Sequence, residues 1–147
     1  MPKNKFKTML FPKKVKYRKW QTMRKNPTKV GTATRGITVA FGSHGLKATT
    51  ASRITSNQIE SARKAITRAI GKTGRVWIRV FPDMPFTKKP AEVKMGKGKG
   101  DIEGYCAKIF PGQVIFEVDG ALAPVAVESL RKGGTKLPIK TKIVARV

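Results

Sequence analysis

Between residues 55 and 70, apolar side chains recur at helical spacing: Ile59, Ala62, Ile66, Ala69 and Ile70 form one stripe. Thr55 at the N-cap with Gln58 three positions later makes a capping box, and Gly71 or Gly74 closes the helix. Elsewhere the period is two. Ile37, Val39 and Phe41 alternate with Thr38, Ala40 and Gly42 and predict a half-buried strand. The turn Gly42-Ser43-His44-Gly45 and a second short strand from Leu46 to about Ala51 would complete a hairpin. Arg75 to Phe81 predicts a strand with Val76, Ile78 and Val80 on one face and Trp77, Arg79 and Phe81 on the other, ended by Pro82. Residues 83–100 hold Pro85, Pro90 and many lysines and glycines, which predicts a long loop. Tyr105 to Ile109 and Val114 to Val118 are strands joined through Pro111-Gly112. A second helix is expected from Ala123 to Lys132, stopped by Gly133-Gly134, and Pro138 to Val147 is expected to close the chain as a strand alternating Ile139, Thr141, Ile143 and Ala145. The order β-β-α-β-loop-β-β-α-β predicts an α+β sandwich.

Charge changes the picture most. Against 32 Lys and Arg stand 8 Asp and Glu, a net charge of +24 at pH 7. Such a chain repels itself unless a polyanion neutralises it, so nucleic acid or an anionic membrane is the expected partner. The excess is uneven, since no acidic residue precedes Glu60. Lys13, Lys14, Lys16, Arg18, Lys19, Arg24, Lys25 and Arg35, with Tyr17 and Trp20 among them, show no sustained apolar period. Residues 1–35 are therefore expected to be a basic RNA-binding arm, and residues 36–147 a single α+β domain with the basic loop at 83–100. On the first helix Lys64, Arg68 and Lys72 fall four apart with Arg63 adjacent, and most lack an acidic partner one turn away. That face is expected to meet phosphate rather than only solvent.

Membrane readings fail on pattern: no stretch approaches the roughly 20 apolar residues of a span, and the first helix needs its apolar stripe for a core. The N-terminus shows neither a secretory signal nor an Arg- and Ser-rich transit pattern. Catalysis has no constellation to rest on. His44 is the sole histidine, Cys106 the sole cysteine, and Asp101 with Glu103 the one close carboxylate pair. We expect no catalytic residue, metal or cofactor. A lone cysteine also rules out an internal disulfide and fits a reducing, cytoplasmic compartment. An RNA-modifying enzyme and a nucleic-acid chaperone are the competing classes; the first lacks any cofactor pocket or acid/base pair. Met95-Gly96-Lys97-Gly98-Lys99-Gly100 combines close backbone approach with charge. It lacks the P-loop spacing, and with Lys88, Lys89 and Lys94 it predicts a finger inserted into RNA.

The run Ile78-Arg79-Val80-Phe81-Pro82-Asp83, then Thr87-Lys88-Lys89-Pro90-Ala91-Glu92, then residues 95–100, resembles the bacterial large-subunit ribosomal protein sixteen (universal L-sixteen) family. Gly36 to Gly45, Gln58-Ile59-Glu60 with Ala62-Arg63, Lys136 to Lys140, and the arm's Met9 to Lys13 and Lys16 to Lys19 fit the same pattern, covering about residues 9–145. The resemblance implies a hammerhead-type sandwich with an extended arm, seated on 23S-type ribosomal RNA beside neighbouring ribosomal proteins in a cytoplasmic ribosome. An organellar ribosome is the less favoured alternative. It also implies that Lys88, Lys89 and Lys94 to Gly100 face tRNA in the aminoacyl (A) site and, secondarily, the peptidyl (P) site. Four departures stand out. Residues 1–8 precede the family's usual start, and Lys94 replaces a common arginine. Tyr105-Cys106 replaces a Tyr-Trp pair. Lys132-Gly133-Gly134 replaces an Ala-rich stretch, so the second helix is expected to end early.

Overall fold

A computed structural model describes residues 10–23, 26 and 29–147. Its elements are β1 (His44–Ala48), β2 (Ser52–Thr55), α1 (Ser56–Ile70), β3 (Arg75–Ile78), β4 (Met84–Lys88), β5 (Asp101–Ile109), β6 (Val114–Asp119), α2 (Ala123–Gly134) and β7 (Thr141–Ala145). They build an α+β fold with two antiparallel sheets, ordered β3-β6-β1-β7 and β2-β5-β4. The helices pack on each other and on one face of the four-stranded sheet. The core between them is Leu46, Phe116 and Val118 from the sheet, Ile59, Ala62, Ile66 and Ile70 from α1, and Ala126 and Leu130 from α2.

Helix α1 forms as its capping box requires: Thr55 N donates to Gln58 Oε1 (3.0 Å) and Gln58 N donates to Thr55 Oγ1 (3.4 Å). Cys106 is buried in β5.

Four expectations need correction. The strand over residues 36–42, and with it the hairpin, does not form; this segment runs irregularly to β1. Its Ala40, Phe41 and Gly42 amides bind the Glu117 carboxylate instead of a neighbouring strand. The 83–100 loop is shorter than expected because Met84–Lys88 pairs with β5 as β4. Pro85 disguised it, yet β4 is an edge strand, where a missing amide donor is tolerated. Helix α2 runs on to Gly134 rather than stopping at Lys132. Gly133 is buried where the helices meet, and a Cβ there would collide with Ile66, so the glycine serves close packing rather than termination. Finally, β3 and β7 are shorter than their apolar runs and β5 is longer.

Candidate nucleic-acid interface

With Ile59, Ala62, Ile66 and Ile70 buried, α1 turns Lys64 and Arg68 to solvent; the helix ends at Ile70 with Gly71 as its cap, so Lys72, expected on its face, is exposed just beyond it. Arg63 is engaged within the helix: its Nε donates to Glu60 Oε2 at 3.0 Å. The hydrogen bond to Arg63 holds the Glu60 carboxyl below its ordinary value. Lys64, Arg68 and Lys72 have no carboxylate partner among the described residues, so the exposed face is a row of unneutralised cations.

The arm residues Lys13, Lys14, Lys16, Tyr17 and Arg18 are exposed, with Lys16 Nζ 5.4 Å from the Tyr17 ring centroid. Arg35 is exposed as well, whereas Arg24 and Lys25 lie outside the described residues. The described part of the arm is held at Phe11 and at Gly36. Phe11 meets the buried Tyr105 ring edge-on at 4.5 Å, and Val114 N donates to Gly36 O at 2.8 Å.

The structure then brings arm and loop together, which sequence spacing did not foretell. Lys19 Nζ donates to Lys99 O (3.4 Å) and lies 3.8 Å from Asp101, while Lys99 Nζ donates to Trp20 O. Within the loop, Gly96, Lys97 and Gly98 all take left-handed conformations (φ 98°, 56° and 101°), and Lys89 Nζ bridges to Gly96 O. Lys88 reaches Glu103 at 3.9 Å. Lys94, Met95 and Lys97 project at the exposed tip with no side-chain hydrogen bond among the described residues, and Gly100 lies at its half-buried base. Among the described residues no hydrogen bond or ion pair joins the α1 cations to the arm or the loop. Two cationic surfaces result: arm with loop, and α1.

Burial pushes the Cys106 thiol up, the reverse of a reactive thiolate. His44 sits in β1 with its Nδ1 3.1 Å from Ser43 Oγ. Among the described residues no three His, Cys, Asp or Glu side chains gather as metal ligands, and no helix is long and apolar enough to cross a membrane. A family described as ribosomal protein L16p/L10e matches residues 12–144. The chain belongs to the ribosomal protein L16p/L10e family.

Relatives in that family are similar over nearly the whole length. The large ribosomal subunit protein uL16 of Erythrobacter litoralis is 54% identical over 138 residues, covering 94% of this chain and 93% of its own. The proteins of the same name from Rhodopseudomonas palustris (53%, covering 95% and 98%) and Halorhodospira halophila (54%, covering 94% and 98%) are equally close. As a member of the L16p/L10e family, the protein is a ribosomal protein and not an enzyme. Sequence reasoning missed one group of this L16p/L10e chain altogether: Glu117, a wholly buried carboxylate on β6, and its partner Arg79. The available signal was an acid inside the otherwise apolar run Val114 to Val118.

Proposed function

We propose that this protein is a structural constituent of the large subunit of a cytoplasmic bacterial ribosome, bound to 23S-type rRNA through its arm and α1 and presenting the 88–100 loop to A-site tRNA. The observation that carries the reading is the spread of cations without carboxylate partners among the described residues: Lys13, Lys14 and Lys16 on the arm, Lys64 and Arg68 on α1 with Lys72 just beyond its end, and Lys94 and Lys97 at the loop tip. Phosphate contacts of this kind position a protein on RNA without reading its bases. The name of its relatives, large ribosomal subunit protein, supplies the polyanion that a chain of +24 needs. Neighbouring ribosomal proteins and, secondarily, P-site tRNA complete the proposed partners. The arm-and-body division near residue 36, with a hammerhead-type sandwich as the body, belongs to the same reading. It is supported by the exposure of residues 13–18 between the two anchors at Phe11 and Gly36.

Loop and arm are separable by choice of lysine. Lys99 ties the loop to Trp20, whereas the Lys94 and Lys97 side chains make no hydrogen bond or ion pair among the described residues. Replacing Lys94→Gln and Lys97→Gln together should leave incorporation into large subunits near normal. Aminoacyl-tRNA affinity of the purified ribosomes should weaken on the order of tenfold or more, since a hydrogen bond to a charged group is worth roughly 1.5–3 kcal/mol. Normal tRNA binding with poor incorporation would make the loop tip an rRNA anchor and reverse the assignment.

A further inference from the structure

The four-stranded sheet has a second face, turned away from the helices. Directly paired residues Trp77, Glu117, Gly45 and Val144 cross it in one row. Residues 36–43 run over this face and are fastened to it with unusual care. A Cβ on Gly45 would lie 2.8 Å from Val39 Cγ2, so the missing side chain makes the space that Val39 occupies. The wholly buried Glu117 accepts from Ala40 N (3.0 Å), Phe41 N (2.6 Å) and Gly42 N (2.9 Å), and Ser43 N donates to Val118 O (2.9 Å). Arg79 pairs with Glu117 and donates to Thr38 O at 3.3 Å.

These ties fix the backbone on both sides of Phe41, and the ring is held as well. Its centroid lies 6.3 Å from that of Trp77 at an interplanar angle of 20°, with Arg79 Cζ 5.2 Å away. Yet the residue remains 57% exposed. A phenyl ring backed by an indole and a guanidinium, rigidly placed and open on its outer side, has the construction of a stacking surface. Strand alternation puts Lys47, Arg75 and Lys142 on the same face, and Arg146 follows β7 with its amide donating to Ser43 O, against Asp119 as the one exposed acid of the sheet there.

We propose that this face is a third RNA contact, in which an unpaired nucleobase stacks on Phe41 while the surrounding cations receive its flanking phosphates. The proposal rests on the rRNA-binding reading above and adds to it a site outside the arm, α1 and the loop. Charge complementarity selects RNA over a protein partner, and RNA recognition characteristically stacks splayed-out bases on aromatic rings and guanidinium planes.

The test uses the full chain and transcribed large-subunit rRNA. Wild type must bind first; failure there would sink the rRNA-binding reading itself, and the platform with it. Phe41→Leu keeps an apolar cover over Trp77 but removes the ring, and should weaken binding about 5- to 140-fold, the range that one base–aromatic stack commands. Phe41→Tyr should bind as wild type. In a second measurement, rRNA substituted with 4-thiouridine is photocross-linked to the unaltered protein, and the tryptic peptide 36–47 should carry an adduct at Phe41. Because this uses the native side chain, it decides the matter even if Phe41→Leu proves less stable. Wild-type affinity in Phe41→Leu, or cross-links confined to the arm, α1 and loop, would overturn the platform and leave the rRNA reading standing. So would normal RNA affinity combined with poor entry into subunits, which would mark Phe41 as a protein contact.

Discussion

Raising monovalent salt from about 50 to 200 mM should weaken binding to large-subunit rRNA by roughly 10³–10⁵-fold, the loss expected when about 6–10 phosphates are neutralised. The structure supplies cations in that range. Lys13, Lys14, Lys16 and Arg18 on the arm, Lys64 and Arg68 on α1 and Lys72 just beyond its end are exposed and lack carboxylate partners among the described residues. Most of the acids are already committed elsewhere: Glu60 to Arg63, Glu128 to Arg131, Glu117 to Arg79, Asp101 to Lys19 and Glu103 to Lys88. Binding measured by anisotropy across a salt series gives the slope of log affinity against log salt. Replacing Lys64, Arg68 and Lys72 with glutamine should flatten that slope by roughly 2–3, at about 0.9 per lost phosphate contact. A wild-type slope near zero would remove the electrostatic account, and an unchanged slope in the triple variant would remove α1 from it.

Glu117→Ala should destabilise the free protein by about 3–5 kcal/mol, the usual cost of stranding one partner of a buried ion pair. The change leaves Arg79 without its carboxylate and three amides without their acceptor. Chemical denaturation of wild type and variant measures this directly, and a loss below about 1 kcal/mol would mean that water replaces the carboxylate freely. Acid unfolding supplies an independent check. Burial pushes the Glu117 carboxyl up, but the three amides and Arg79 together outweigh it and hold the group below its ordinary value. A folded-state value below the unfolded one makes the contribution complete above the ordinary glutamate range, and lost as pH falls through the depressed value. Glu117→Gln should therefore show a shallower loss of stability on acidification than wild type, starting from a lower plateau at neutral pH.

Local signals carried much of the fold. The capping box at Thr55 and the stripe of α1 depend on residues close in sequence; the box forms as read, and the stripe is buried at Ile59, Ala62, Ile66 and Ile70 with Ala69 half-buried. What escaped was decided by distant contacts. Ile37, Val39 and Phe41 alternate as a strand does, but the amides around Phe41 bind a carboxylate 76 positions away. Pro85 argues against a strand until the edge position of β4 is known. Gly133 looks like a stop until Ile66 is seen against it. The same division holds for the candidate site. Cations on the arm, α1 and loop are plain from composition and spacing, whereas the contact of Lys19 and Trp20 with Lys99 and the cluster of Phe41, Trp77 and Arg79 arise only from tertiary packing.

Large subunits separated from small subunits on a sucrose gradient at physiological salt and magnesium put the central claim to its most direct test. Quantitative mass spectrometry of the fractions should find this protein equimolar with the other large-subunit proteins and absent from small subunits. Recovery mainly at the top of the gradient, or spread in trace amounts over both subunits, would contradict a structural role in the large subunit.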